Sequence, residues 1–316
     1  ANGVNNSWWW SFFHTVSSYQ NAGFGLFGSN LIPFSNDQVI SLTLSFCVIA
    51  GNTLFPCFLR FTLWVMKLTT CNRQLRQDLQ ELLRNPRFYY YYLFPSRQTW
   101  ILLGLWLFIT GAEFFLFFVE WNRVVVYGSE FSTGIKLMID FVQTVWVRTC
   151  GFNNVNIGSL NYGHLAFLIV SMYIAAFPII VTLRSSSSTP DKRLSTPGER
   201  ISRTMRSLVA RDLVWLYFVV VLITLIEFGR PSTDPNIVPN SFLNICFEVS
   251  SAFGTVGLST GFPGVNYSYS GSFYGLSKFL IILTFLAGRH RGLPSVFDTT
   301  ISVAGEIERK SRALSF

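Results

Sequence analysis

One motif occurs three times along the chain: a short amphipathic run that closes on a glycine. The copies end at Gly23, Gly151 and Gly257, and each has a phenylalanine ten residues earlier, at Phe13, Phe141 and Phe247. Phe24, Phe152 and Leu258 follow the glycines. After each copy come a short polar stretch and a long apolar segment. A repeat with this wide, regular layout is one structural unit used several times. The unit that fits is a half-length helix, an extended glycine turn and a membrane-crossing helix. That is the re-entrant pore segment of a cation channel or transporter.

The solvent implied for such a unit is lipid. Of the 316 residues, 50% are hydrophobic and only 13% are charged, against roughly 25% charged in soluble domains. The 32 Phe and 9 Trp suit lipid-facing and interfacial positions. The net charge of +8, from 24 basic and 16 acidic residues, would suggest nucleic acid in a soluble protein. Here the positive charge lies between apolar segments, where it sets topology, and no nucleic-acid partner is expected. Five cysteines (Cys47, Cys57, Cys71, Cys150 and Cys246) show no paired spacing, so neither a zinc site nor a disulfide framework is indicated. The chain opens on Ala1 without an initiator methionine, and further residues upstream are expected.

Five apolar spans are predicted, at 38–66, 98–121, 161–183, 212–228 and 273–288. Before them, Ser7 is read as the N-cap of a short helix running to about Tyr19. Such a helix is roughly 18 Å long, too short to cross a bilayer, which takes about 20 residues. Pro56 predicts a kink in the first span, which also holds Arg60. Residues 184–211 carry four consecutive serines, Ser185 to Ser188, and seven basic residues; this composition reads as a flexible linker open to kinases or other cytoplasmic regulators. Basic residues concentrate in 67–97, 184–211 and 289–316, which the positive-inside rule places in the cytoplasm. The connections 1–37, 122–160 and 229–270 then lie outside, with all three glycine motifs and the sequons at Asn5 and Asn266.

The chemistry of the motif follows from ion dehydration. A cation entering hydrocarbon must exchange its water shell for other oxygens, and backbone carbonyls serve as strong dipoles without net charge. Aiming consecutive carbonyls at one axis needs unusual backbone, which glycine permits. Irregular backbone at membrane depth is tolerated only inside protein or along water, and the C-terminal end of a short helix adds partial negative charge. The expected coordinating carbonyls are those of Asn21, Ala22 and Gly23, then Thr149, Cys150 and Gly151, then Thr255, Val256 and Gly257. K⁺ or Na⁺ would be the transported ion, with no cofactor.

The residues Phe247 to Ser259 closely resemble the fourth pore loop of fungal Trk and plant HKT transporters. Arg148-Thr149-Cys150-Gly151-Phe152 is similar to their third loop, and Gly51 to Pro56 looks like the helix after the second. Gly288 to Pro294 resembles a fungal Trk signature. The resemblance covers essentially the whole chain. It implies a member of the Trk, Ktr and HKT superfamily: an all-α membrane protein of repeated helix–pore loop–helix units around a central pore, of K⁺-channel-like design. Four units per subunit, homodimers and K⁺ transport, or Na⁺ transport in some HKT proteins, come with it. The first repeat is then missing from this chain. Residues 1–69 hold the second pore loop and its following helix, 98–184 the third repeat and 212–288 the fourth. Residues 70–97 and 185–211 are cytoplasmic connections and 289–316 a cytoplasmic tail. A multi-pass plasma-membrane protein is implied, with the filter facing outward.

Several charges fall inside this frame. Lys278 lies in the last span, where an ionisable residue is a functional candidate. The resemblance makes it an electrostatic barrier beside the pore; an ion pair with Glu248 or Glu113 is the structural alternative. Glu113 and Glu120 share a helix face, with Glu120 at the interface beside Trp121. Asp140 and Glu248 sit in the short helices, where they concentrate cations at the mouth or anchor the filter. Arg148 precedes a filter glycine and needs a carboxylate partner, for which Asp140 is the candidate. Two other classes fit less well. A membrane enzyme needs a cluster of His, Asp or Cys at one face, which the sequence lacks; a passive scaffold leaves the repeated glycines without a purpose.

Overall fold

The structure is a computed structural model that describes residues 6–51, 54–84, 86, 93–120, 132–175, 197–228, 242–262 and 267–290. The serine run, the sequon asparagines Asn5 and Asn266, Trp121 and the tail beyond His290 lie outside the described residues. Among those residues every regular element is helical and none is a β-strand. In chain order the helices are α1 (Ser7–Tyr19), α2 (Gln38–Gly51), α3 (Phe55–Thr69), α4 (Arg73–Arg84) and α5 (Ser96–Glu120). They continue with α6 (Thr133–Thr149), α7 (Tyr162–Ala175), α8 (Pro197–Glu227), α9 (Phe242–Phe253) and α10 (Gly275–Arg289).

Local chemistry sets most of the boundaries. α1 has the predicted extent, but its cap is Asn6 rather than Ser7, with Asn6 Oδ1 accepting from the Trp9 N–H at 3.1 Å. Asp37 does the same for α2, accepting from the N–H groups of Val39 and Ile40, each at 3.1 Å. The predicted single span over 38–66 is two helices. α2 stops at Gly51 and α3 restarts with Pro56 in its first turn, and the two axes diverge by 87°. Proline fits the first turn of a helix, where its missing N–H costs no hydrogen bond, but not the interior. The linker read over 184–211 also changes: α8 begins at Pro197, so residues 197–211 extend the helix that follows.

α5 and the Val209–Glu227 part of α8 are long and apolar enough to cross a membrane, and α2 with α3 makes a third candidate counted as one bent span. The short helices α1, α6 and α9 are packed among these. Three apolar cores run in sequence. The first joins α1, α2 and α6 through Trp10, Leu44, Val48 and Trp146. The second joins α5, α6, α7 and α9 through Phe117, Val147, Leu168 and Phe247. The third joins α8, α9 and α10 through Val219, Ile223, Phe253 and Leu280. α6 and α9 each face two cores, so they hold the assembly together.

One packing contact recurs. A Cβ on Gly51 would collide with the carbonyl oxygen of Tyr19, the last residue of α1. A Cβ on Gly288 would collide in the same way with that of Phe253, the last residue of α9. The helix after the first and the third glycine motif therefore closes onto the end of the helix before it, at a residue with no side chain.

Candidate functional site

The short helices end alike. Two residues past the last residue of α1 and of α9 the chain enters the left-handed region, at Asn21 (φ +54°) and Thr255 (φ +55°). The next N–H reaches back to the helix, Ala22 N to Ser17 O at 2.9 Å and Val256 N to Ser251 O at 3.0 Å. Thr255 is β-branched, so this conformation is strained and held by its surroundings. α6 runs further, to Thr149, and its Gly151 N–H bonds Trp146 O at 3.0 Å. All three motif glycines then adopt positive φ: +70° at Gly23, +77° at Gly151 and +81° at Gly257.

These turns meet one another. A Cβ on Gly23 would strike the Cys150 carbonyl oxygen, and one on Gly151 would strike that of Val256. On Gly257 the nearest atom would be the Ala22 carbonyl oxygen, at 4.0 Å. The order is cyclic: in each segment the carbonyl one residue before the glycine faces the glycine of another segment. The repeating phenylalanine is not equally structural, since Phe247 is fully buried while Phe141 is 39% exposed.

Each turn is fastened by a side chain of its own short helix. Ser17 Oγ donates to Phe24 O at 2.9 Å. Gln143 Nε2 donates to Phe152 O at 3.2 Å, and Gln143 Oε1 accepts from Asn154 N at 2.9 Å. Both side chains hold the carbonyl just past the glycine. In the third segment Glu248 accepts from Ser259 Oγ and from the Ser270 N–H at 3.3 Å. Ser259 Oγ in turn accepts from Gly261 N at 3.1 Å and Tyr269 N at 2.8 Å. Glu248 thus anchors the chain after Gly257. Ser17 and Gln143 were not among the residues singled out from the sequence. Replacing Gln143 with leucine keeps its size but frees the Phe152 carbonyl and the Asn154 N–H, and is expected to lower ion uptake about tenfold. Flux measurements normalised to surface protein check this.

Cys150 is fully buried. Thiol reagents at neutral pH are expected to spare it while modifying the exposed Cys71. Peptide mass spectrometry of the treated protein reads both sites.

A cavity of about 810 Å³ opens against Gly151 and Gly257. Asn30, Asn153, Asn156, Ser259 and Thr260 supply much of its polar wall, and among the described residues no charged side chain lines it. Its electrostatics come from amide, hydroxyl and carbonyl dipoles.

The predicted charges are distributed differently from expectation. Arg148 pairs with Glu113, Nε to Oε2 at 3.9 Å, instead of Asp140. Asp140 lies eight residues back on the same helix, about 12 Å along its axis. The Arg148 guanidinium also lies over the Trp106 ring, 5.3 Å from its centre, and Ser171 Oγ donates to Glu113. Glu120 accepts from Asn161 N at 3.2 Å and stands 3.4 Å from His164 Nδ1, a contact the sequence did not announce. Asp140 is buried within α6. Lys278 is exposed in the first turn of α10 and lies outside the cavity lining, while Glu113 and Glu248 have other partners.

Known proteins share this chain's pattern. The TrkH family, described as a cation transport protein, matches residues 1–309. Potassium transport protein 1 of Schizosaccharomyces pombe is 33% identical over 94% of this chain and 36% of its own length. The low-affinity potassium transport protein of Saccharomyces cerevisiae is 29% identical over 96% of this chain and 39% of its own. A putative potassium transport protein of Dictyostelium discoideum is 32% identical over 96% and 43%. The chain spans roughly two fifths of the length of these relatives. With the family's profile matched from residue 1 to 309, this chain belongs to the TrkH family of cation transport proteins.

Proposed function

We propose that the chain forms walls of a K⁺ pathway across the plasma membrane. α1, α6 and α9 act as pore helices. The carbonyls of Asn21, Ala22 and Gly23, of Thr149, Cys150 and Gly151, and of Thr255, Val256 and Gly257 replace the water shell of the ion. The observation that carries this reading is the cyclic meeting of three positive-φ glycines with the carbonyls of Ala22, Cys150 and Val256. The C-terminal ends of the three short helices converge there and add negative potential. The potassium-transporter names of the relatives support K⁺ as the ion. Membrane potential drives inward flow, at roughly 2.3 kcal/mol per charge per 100 mV.

The test is growth rescue of a yeast strain without K⁺ uptake, using the complete protein. Growth on low K⁺ with little Na⁺ accumulation is the expected result. Na⁺ uptake in place of K⁺ would move the assignment to Na⁺ conduction. A surface-expressed protein that moves no alkali cation would overturn it.

A further inference from the structure

We infer that α3 lies along the membrane surface and, together with α4, forms a platform that binds anionic phospholipid headgroups. The first observation is direction. α2 is apolar along its length, and α3 leaves it at 87°. With α2 along the membrane normal, a segment that leaves it through nearly a right angle runs parallel to the membrane plane.

The second observation is depth. α3 is fastened to the beginning of α5. Cys57 Sγ donates to Thr99 O at 3.7 Å, and Arg60 Nη1 donates to Phe94 O at 2.8 Å. Cys57 also packs on the buried pair Phe94 and Leu102. That end of α5 has the marks of a membrane–water boundary: Trp100 is 70% exposed and Arg97 is exposed beside it. α3 therefore sits at boundary level.

The third observation is the sorting of side chains. Phe61, Trp64 and Leu68 are all more than half exposed, and their spacing puts them on one face. The Phe61 and Trp64 rings stack at 6.2 Å. Lys67 flanks that face, from which its ammonium can reach headgroups. Arg60 is already engaged by the Phe94 carbonyl. α4 packs on α3 and buries Leu79. Its exposed Arg73 and Arg76 fall along one edge and Asp78 on another, with Glu81 one turn before the exposed Arg84. An apolar face bordered by cations, at boundary depth, matches a leaflet whose headgroups carry phosphate and carboxylate charge.

Depth measurements on the complete protein separate this from a continuing span. A nitroxide introduced as a non-natural residue, one at a time at positions 61, 64 and 68, is read in nanodiscs with and without phosphatidylserine. Equal shallow depths with access to oxygen are expected. A span continuing α2 would spread positions 61 and 68 by about 10 Å. Such a gradient, or labels shielded from oxygen, overturns the in-plane helix. The combined variant Arg73→Gln, Arg76→Gln, Arg84→Gln is expected to retain severalfold less phosphatidylserine by native mass spectrometry, with Asp78→Asn unchanged. Undiminished retention in the triple variant overturns the headgroup role.

Discussion

Replacing Gly151 with alanine is expected to abolish K⁺ uptake by the complete protein. Two costs coincide at this residue. An L side chain at φ +77° costs about 1–2 kcal/mol. The new Cβ would also strike the Val256 carbonyl oxygen, which is backbone and cannot rotate aside. Val256 is itself tied to Ser251 O by its N–H at 3.0 Å, so relief requires one whole turn to shift. Displacing a ring of carbonyls by a few tenths of an ångström alters every coordination distance that replaces water. Gly23→Ala meets the same obstacle at the Cys150 carbonyl and shares the outcome. At Gly257 the nearest described atom to a new Cβ is 4.0 Å away, so alanine there carries the conformational cost alone and a smaller loss is expected. Rubidium uptake normalised to surface protein gives the ranking. Full uptake by Gly151→Ala would remove the glycine triad from the mechanism.

The glycine turns were legible because their signal is local. A capped short helix, a glycine at its end and a long apolar stretch all lie within a few dozen residues. The break between α2 and α3 was half legible: Pro56 announced a disturbance, but Gly51, whose lack of a side chain lets α2 close onto Tyr19, decided where the helix stops. The anchors were less visible. Ser17 bonds Phe24 and Gln143 bonds Phe152, contacts that exist only once the turn has formed, and serine and glutamine are unremarkable in a short helix. The need of Arg148 for a carboxylate was legible but its partner was not: Asp140 was the candidate near it in sequence, whereas Glu113 arrives from another helix 35 residues earlier. Lys278, read from the sequence as a charge within the last span, stands exposed in the first turn of α10.

The pair of Arg148 with Glu113 sets the other large effect. Glu113 is fully buried and Arg148 is 3% exposed. Among the described residues, Glu113→Ala would leave the guanidinium with the Trp106 ring and a 3.5 Å contact to the Trp106 carbonyl. Removing one member of a buried pair costs about 3–5 kcal/mol, a large part of the 5–15 kcal/mol that holds a typical fold. Glu113→Ala is therefore expected to be nearly absent from the cell surface. The cost comes from the unpaired charge rather than the lost attraction, so removing both charges should restore folding. The pair Glu113→Leu with Arg148→Met replaces them with apolar groups of similar length, and surface protein should recover to within about twofold of the native level. Arg148 lines no part of the cavity, so the recovered protein should still carry K⁺. Surface biotinylation of the single and double variants decides the point: a double variant as scarce as the single would show that the pair, and not the unpaired charge, is what α5 and α6 require of each other.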